Sequence, residues 1–371
     1  MLRVGLSASA LAAILARSRA QPFGHPAPGA TYPEREGFTL WLVEEFEEPL
    51  DLDMDPVWTW SDGALPEGWV RFVKEGIKFE NGRLVLEADN AEPGSQQQPC
   101  SHAESTWVGN RPLTSGEMRS RHNLFRYGYY EARMKAPEIQ PSNPHINGNY
   151  ISTMFVYHDA KFRHWREIDV ELTGDSPSAL TVNVLNGENR SNWAPDIESH
   201  VTCSVEPRNL RAHFHTYAFE WLPTGITWYL DGQEIARHGP EEPLPIPELS
   251  GKIIMNLWVF STGKGFGGME GENNQYPLRS EYEWLRFYRW NGDEHYPCEG
   301  LTADCLTAED RFLSGNNPCD GIPLEGDAPG VAKCKATCPS GLGHQSAAPP
   351  SARPSAAAAA AATAASGVDA S

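Results

Sequence analysis

The chain has 371 residues, among them 12 Trp, 12 Tyr, 14 Phe, 33 Gly and 30 Pro, which is enough apolar bulk for a sizeable core interrupted by many turns. Asp plus Glu number 49 against 30 Lys plus Arg, a formal charge of −19, so long-range repulsion opposes nucleic acid and other polyanions as partners. After the N-terminus no stretch approaches the roughly 20 apolar positions of a bilayer crossing, which excludes a helical membrane span there.

Residues 1–20 run from Arg3 through the apolar stretch Val4–Ala16 to Ser18-Arg19-Ala20, with small residues at the −3 and −1 positions of a cleaved secretory signal. Its loss would remove Arg3, Arg17 and Arg19 and take the charge from −19 to −22. Because Arg17 and Arg19 stand where signal peptidases usually meet neutral residues, an uncleaved anchor or an organelle address is the alternative. Residues 21–36 are rich in Pro and Gly and are expected to be a linker. A body over 37–297 follows, then a Cys-rich extension over 298–344, then an Ala/Pro/Ser tail of low complexity over 345–371.

Within the body, apolar residues recur with period two between turn signals. Ile77-Lys78-Phe79 leads into Asn81-Gly82 and out through Arg83–Glu87, and Tyr129–Lys135 stops at Pro137. Thr216–Trp221, Ile226–Leu230 closed by Asp231-Gly232, and Glu281–Tyr288 repeat the pattern. No long 3.6-residue periodicity with caps interrupts them, so the spacing predicts an all-β antiparallel sandwich or barrel.

The seven cysteines are Cys100, Cys203, Cys298, Cys305, Cys319, Cys334 and Cys338, five of them crowded among Gly, Pro, Asn and Asp near the C-terminus. That usage predicts disulfides in an oxidising compartment, with connectivity open. Zinc is the competing reading, but Cys334-x3-Cys338 has no second tight pair to complete four ligands. The sequon Asn189-Arg190-Ser191 fits the secretory route.

Trp165-Arg166-Glu167-Ile168-Asp169-Val170-Glu171-Leu172 alternates acid and aliphatic. As a strand it projects Glu167, Asp169 and Glu171 from one face and Ile168, Val170 and Leu172 into the core. Neighbouring acids are roughly 7 Å apart at Cα and the outer pair roughly 13 Å, and two Glu leaning inward bring their carboxyls into the roughly 5–9 Å range of glycosidic chemistry. A solvated acidic face is the plain alternative, but such a face ordinarily mixes signs, and here no Lys or Arg shares the three outward positions. A Trp two residues upstream suits a sugar, whose C–H face stacks on an aromatic ring. Repulsion within the trio favours one protonated and one ionised carboxyl, titrating as a coupled set.

Glu167-Ile168-Asp169-Val170-Glu171 resembles the signature of family 16 glycoside hydrolases, in the short form of lichenases and xyloglucan-modifying enzymes. Glu45-Phe46 with Trp58, Ser115-Gly116-Glu117, Tyr127–Pro137, Phe214–Trp221, Trp228–Gly232 and Met255–Trp258 resemble further segments of that family in the same order, over about residues 38–290. The resemblance implies a jelly-roll sandwich of two curved antiparallel sheets with a concave substrate cleft, and a retaining double displacement. It puts Glu167 at the nucleophile position, Glu171 at the acid/base position and Asp169 between them as the assisting carboxylate. Trp165, Asn183, Trp258 and Phe266 fall at substrate-binding positions. Arg166, Leu185 and Phe266 depart from the lichenase pattern, which leaves the linkage open. No cofactor is called for; Glu283 stands where the family's structural Ca²⁺ site usually has an Asp.

Two signals are set aside. Gly263-Lys264-Gly265-Phe266-Gly267-Gly268 satisfies G-x-G-x-x-G but leads into no helix and is expected to form a loop over the cleft. His213 and His215 lack a third ligand at metal spacing, and no G-x-S-x-G elbow occurs. The expectation is a secreted or wall-associated monomeric endo-β-glucanase acting with retention on neutral β-1,3 or mixed β-1,3/1,4 glucan. A transglycosylase on the same scaffold and a non-catalytic glucan-binding protein are the alternatives.

Overall fold

The structure, a computed structural model, describes residues 22–61, 63–64, 69–91, 112–121, 123–158, 163–189, 198–260, 268 and 270–293. The expected signal segment, Cys-rich extension and tail lie outside these residues, as do every cysteine except Cys203 and the whole glycine-rich run before Gly268, Phe266 included.

The described residues form strands joined by turns and short 3₁₀ segments. The first half comprises β1 (Phe23–His25), β2 (Phe38–Glu44), β3 (Trp58–Trp60), β4 (Gly63–Ala64), β5 (Val70–Phe72), β6 (Ile77–Phe79), β7 (Leu84–Asn90), β8 (Leu113–Ser115), β9 (Glu117–Ser120) and β10 (Gly128–Lys135). The second comprises β11 (Ile151–Tyr157), β12 (Arg163–Thr173), β13 (Ala179–Asn189), β14 (Glu198–Ser204), β15 (His215–Leu222), β16 (Gly225–Leu230), β17 (Gln233–His238), β18 (Lys252–Trp258) and β19 (Leu278–Trp290). Every period-two run picked out above falls within one of these strands, save that Arg83 stands just before β7. The hairpin turns follow the expected chemistry: Asn81 and Gly82, at φ 54° and 68°, and Asp231 and Gly232, at φ 50° and 78°, all take the left-handed backbone of a type I′ turn.

The strands pair into two sheets. One has seven strands in the order β14-β13-β12-β11-β18-β9-β3; the other has twelve, with β17-β16-β15-β10-β19-β7-β8-β5-β4 along its main path. Between them lies one apolar core, where Tyr130 stacks on Phe219 at 4.6 Å between ring centroids and Ile168, Val170 and Leu172 are buried. Polar ties cross the same gap. Ser152 and Ser280 share a hydrogen bond of 2.5 Å, Tyr282 Oη donates to the Thr153 carbonyl at 2.8 Å, and Trp228 Nε1 donates to the Asp169 carbonyl at 3.0 Å. Cys203, the one described cysteine, is a buried free thiol donating to the Ile235 carbonyl at 3.6 Å.

The linker expectation for residues 21–36 is corrected over its described part. β1 pairs in parallel with β2, Phe23 packs on Trp41 at 4.8 Å, and the Arg35 guanidinium lies 3.5 Å from the Tyr129 ring centroid while pairing with Glu131 at 2.8 Å. His25 bridges two carboxylates, Glu44 at 2.7 Å and Asp55 at 3.3 Å. Pro and Gly frequency hid Phe23, His25 and Arg35, the side chains that dock this strap.

Candidate active site

β12 carries the acids. Because strand side chains alternate, burial of Ile168, Val170 and Leu172 between the sheets sends Glu167, Asp169 and Glu171 to the opposite face of the seven-stranded sheet, as the sequence pattern predicts. Register then decides their neighbours. Leu185, Glu167, Tyr157 and Lys252 make one row across β13, β12, β11 and β18. Asn183, Asp169, Phe155, Ile254 and Arg119 make the next, the last residue on β9. Thr181, Glu171, Thr153, Asn256 and Glu117 make the third. With strands about 4.8 Å apart, the third row carries Glu171 and Glu117 roughly 14 Å from each other. Four acids and two bases, Arg119 and Lys252, therefore occupy this part of one face.

Glu167 sits in an aromatic setting. Trp165, two residues upstream and so on the same face, donates its indole N–H to Glu167 Oε2 at 2.5 Å and packs with Leu185 and half-buried Tyr157. The donor aims a charge-assisted hydrogen bond at the carboxylate and fixes its rotation. A second polar cluster holds the far end of the third row. Thr153 Oγ1 donates to Asn256 Oδ1 at 2.7 Å, Asn256 Nδ2 donates to Glu117 Oε2 at 2.9 Å, and Ser61 donates to the other oxygen of Glu117.

Asn183 and Trp258 bring hydrogen-bonding capacity to spare to this face. The side-chain oxygen of Asn183, beside Asp169, and the indole N–H of Trp258, in register with Ile151 at the end of the face, are buried without a partner. A buried polar atom left unpaired costs about 1–3 kcal/mol, a cost that a ligand hydroxyl would remove.

The expectation of an open cleft directly above the acids is corrected: Glu167, Asp169 and Glu171 are 2%, 3% and 2% exposed. Trp165 and Trp258, expected as cleft-lining rings, are 1% and 0% exposed, so neither offers a bare ring face to solvent. Trp165 instead spends its indole on Glu167, and Trp258 packs on Phe260 with ring centroids 4.4 Å apart. Thus Glu167, Asp169, Glu171, Trp165 and Asn183 are brought together, Trp258 lies farther along the same face, and Phe266 is outside the described residues. Glu117, Asn256, Thr153 and Tyr157 were missed as site residues. The signal for Asn256 was present, since it precedes Trp258 by two and must share its face.

Arg166, the departure beside the first acid, points to the other side of β12. Its Nε donates to both oxygens of Glu248 at 3.1 Å, and it also holds the carbonyls of Trp165 and Gly187. The guanidinium is thus occupied at the sheet end and leaves the acid row unchanged. Glu283 does not suit calcium, because its carboxylate is paired with Arg133 at 2.5 Å and Arg83 at 3.3 Å.

The family model for glycosyl hydrolases family 16 matches residues 70–285. A beta-glucanase of Acetivibrio thermocellus is 30% identical over 256 residues, 68% of this chain and 62% of that protein. A beta-glucanase of Bacillus subtilis is 35% identical over 175 residues, 46% of this chain and 62% of that one. The chain thus spans less than two thirds of the length of these curated relatives. Among solved structures, the laminarinase catalytic domain of Thermotoga maritima superposes with a TM-score of 0.55 at 19% identity, covering 68% of this chain and 99% of that domain. At that identity the likeness is one of fold.

Proposed function

The chain belongs to family 16 of the glycosyl hydrolases, and from that premise we propose that it is a secreted endo-β-glucanase cleaving β-1,3 or mixed β-1,3/1,4 glucan with retention. The observation that carries this reading is the placement of Glu167, Asp169 and Glu171 at alternate positions of β12, on the sheet face turned away from the core. In the double displacement, Glu167 attacks the anomeric carbon and forms a glycosyl ester while Glu171 protonates the departing oxygen. Glu171 then takes a proton from the incoming water, which releases the sugar with its original anomeric configuration. Asp169 stands between them in sequence as the assisting carboxylate. Trp165 holds Glu167 through the indole N–H, and Asn183 and Trp258 offer an acceptor and a donor to sugar hydroxyls. Two beta-glucanases among the relatives support the substrate class, and the acidic chain favours a neutral polymer over a sulfated or uronate one.

The test is to incubate the parent and Glu167→Gln with laminarin, lichenan and a labelled oligosaccharide acceptor, and to size the products. Shorter products from the parent alone support hydrolysis. Longer labelled products mean that a sugar hydroxyl replaces water, and binding by both proteins without turnover means a lectin; either overturns the hydrolase reading.

A further inference from the structure

β11 and β18 run antiparallel with Ile151 opposite Trp258, so a regular ladder would next face the backbone of Asn149 with that of Phe260. A side chain stands there instead. Asn149 Oδ1 accepts the Phe260 N–H at 3.1 Å and Asn149 Nδ2 donates to the Phe260 carbonyl at 3.4 Å. The Asn149 backbone, freed from that ladder, is met by a second carboxamide: its N–H donates to Asn274 Oδ1 at 2.9 Å and its carbonyl accepts from Asn274 Nδ2 at 2.7 Å. Each carboxamide offers one donor and one acceptor side by side, as a peptide unit does. Two asparagines thus continue the hydrogen-bonded ribbon sideways, and the chain beyond Trp258 is held one carboxamide farther from β11 than a ladder would hold it.

We propose that Asn149, backed by Asn274, is a positioning residue that sets the aim of Trp258 on the acid face. Asn149 is fully buried, all four of its amide groups are used, and its two side-chain bonds end on the backbone of the residue whose ring packs on Trp258. Trp258 carries the unpartnered indole N–H, so the direction of that donor is the quantity the clamp controls. This inference rests on the glucanase reading, because it treats Trp258 as a sugar contact. A clamp that served only stability would lower the melting temperature and leave substrate binding by the folded protein unchanged. A clamp that aims Trp258 weakens binding through that residue and through no other.

A double-mutant cycle separates the two. Asn149→Ala, Trp258→Ala and the double variant are assayed against the parent on lichenan and laminarin below their melting temperatures. KM in Asn149→Ala should rise about fivefold or more with kcat held within about twofold, and Asn149→Ala should add nothing further in the Trp258→Ala background. An unchanged KM, or effects that multiply in the double variant, overturns the proposal. If Asn149→Ala does not fold, Asn274→Ala, which keeps the Asn149 carboxamide, should raise KM in the same sense by a smaller factor, and no change there overturns it. Should the parent turn over no glucan, the functional reading fails by itself. The clamp is then read from tryptophan emission, which Asn149→Ala must alter in the parent and not in Trp258→Ala; emission unaltered in the parent, or altered equally in both, overturns it.

Discussion

Arg211 is 1% exposed and has no carboxylate against its guanidinium among the described residues; its partners are neutral. Nε donates to Tyr150 Oη at 3.1 Å, and the two terminal nitrogens donate to the carbonyls of Ile146 at 2.7 Å and Gly174 at 2.8 Å. The cation therefore ties the residue after the acid strand to the segment leading into β11. Replacing it by Met keeps the apolar stem and removes the donors. Gly174 keeps one partner, because its carbonyl also accepts the Gly148 N–H at 2.7 Å, whereas Ile146 and the buried Tyr150 hydroxyl are orphaned. The buried Tyr150 orphan at about 1–3 kcal/mol and a smaller cost at half-buried Ile146, plus the space left by the guanidinium and less the relief of burying no cation, give a loss of about 2–4 kcal/mol for Arg211→Met. Urea unfolding followed by tryptophan fluorescence measures it, with the slope checked for constancy. A loss under about 1 kcal/mol would mean that water already serves those carbonyls and that the knot is not a determinant of stability.

Three further outcomes follow from the same geometry. Trp165→Phe keeps the ring against Leu185 but deletes the N–H on Glu167, so kcat on lichenan should fall roughly tenfold or more with KM little changed; an unaltered kcat would mean the hydrogen bond orients nothing that reacts. Gly116→Ala would place a Cβ 2.3 Å from the Gly76 carbonyl oxygen, an overlap with backbone that should cost about 1–3 kcal/mol in urea unfolding, and a neutral result would show that the two chains separate freely. The N-terminal strap should make stability pH-dependent. The Glu44 hydrogen bond raises His25 above its ordinary 6.5, and burial raises Glu44 above 4.5. Both groups have folded-state pKa values above the unfolded ones, so the stability each contributes is complete below its unfolded value and is lost as pH rises through its folded value. The unfolding free energy of the parent should therefore decline between about pH 6.5 and the folded pKa of His25, and His25→Gln should flatten that stretch; superimposable profiles would refute the linkage.

The acid face was legible because period two is a strong signal and five residues suffice to state it. The hairpins were legible because Asn-Gly and Asp-Gly name their own turn. What the sequence could not supply is which strands meet. β19 pairs with β10, β7 and β2, partners separated from it by well over a hundred residues, and no local pattern encodes that choice. The same limit hid the third row, since Glu117 joins Asn256 and Thr153 only once β9, β18 and β11 lie side by side. Composition misled at the N-terminus, where Phe23, His25, Arg35 and Tyr32, whose ring lies under the Arg286 guanidinium, dock a segment whose Pro and Gly read as a linker. It was silent on Asn149, because an asparagine in Asn147-Gly148-Asn149 reads as a turn, and its bonds depend on the distant Phe260 and Asn274.

The twelve-stranded sheet carries none of Glu167, Asp169 and Glu171, yet it helps to decide where they point. A one-residue slip of β12 against β11 and β13 would turn Glu167, Asp169 and Glu171 into the apolar core and set Ile168, Val170 and Leu172 among the polar side chains of the acid face. Each carboxylate would then lose its polar neighbours to an apolar surrounding at a cost of several kcal/mol, so the aliphatic triplet and the acid triplet exclude the slip together. The hydrogen bonds that cross the gap act in the same sense. Trp228 reaches the carbonyl of Asp169 on β12 and Tyr282 reaches that of Thr153 on β11, one row along and opposite Glu171, so the second sheet grips the backbone at the middle of the acid rows. Both donors are large, buried and set by their own strands, and a displaced register would leave both unpaired. The chemistry-bearing face is thus specified from behind, by residues that no reading of the acid strand alone would select.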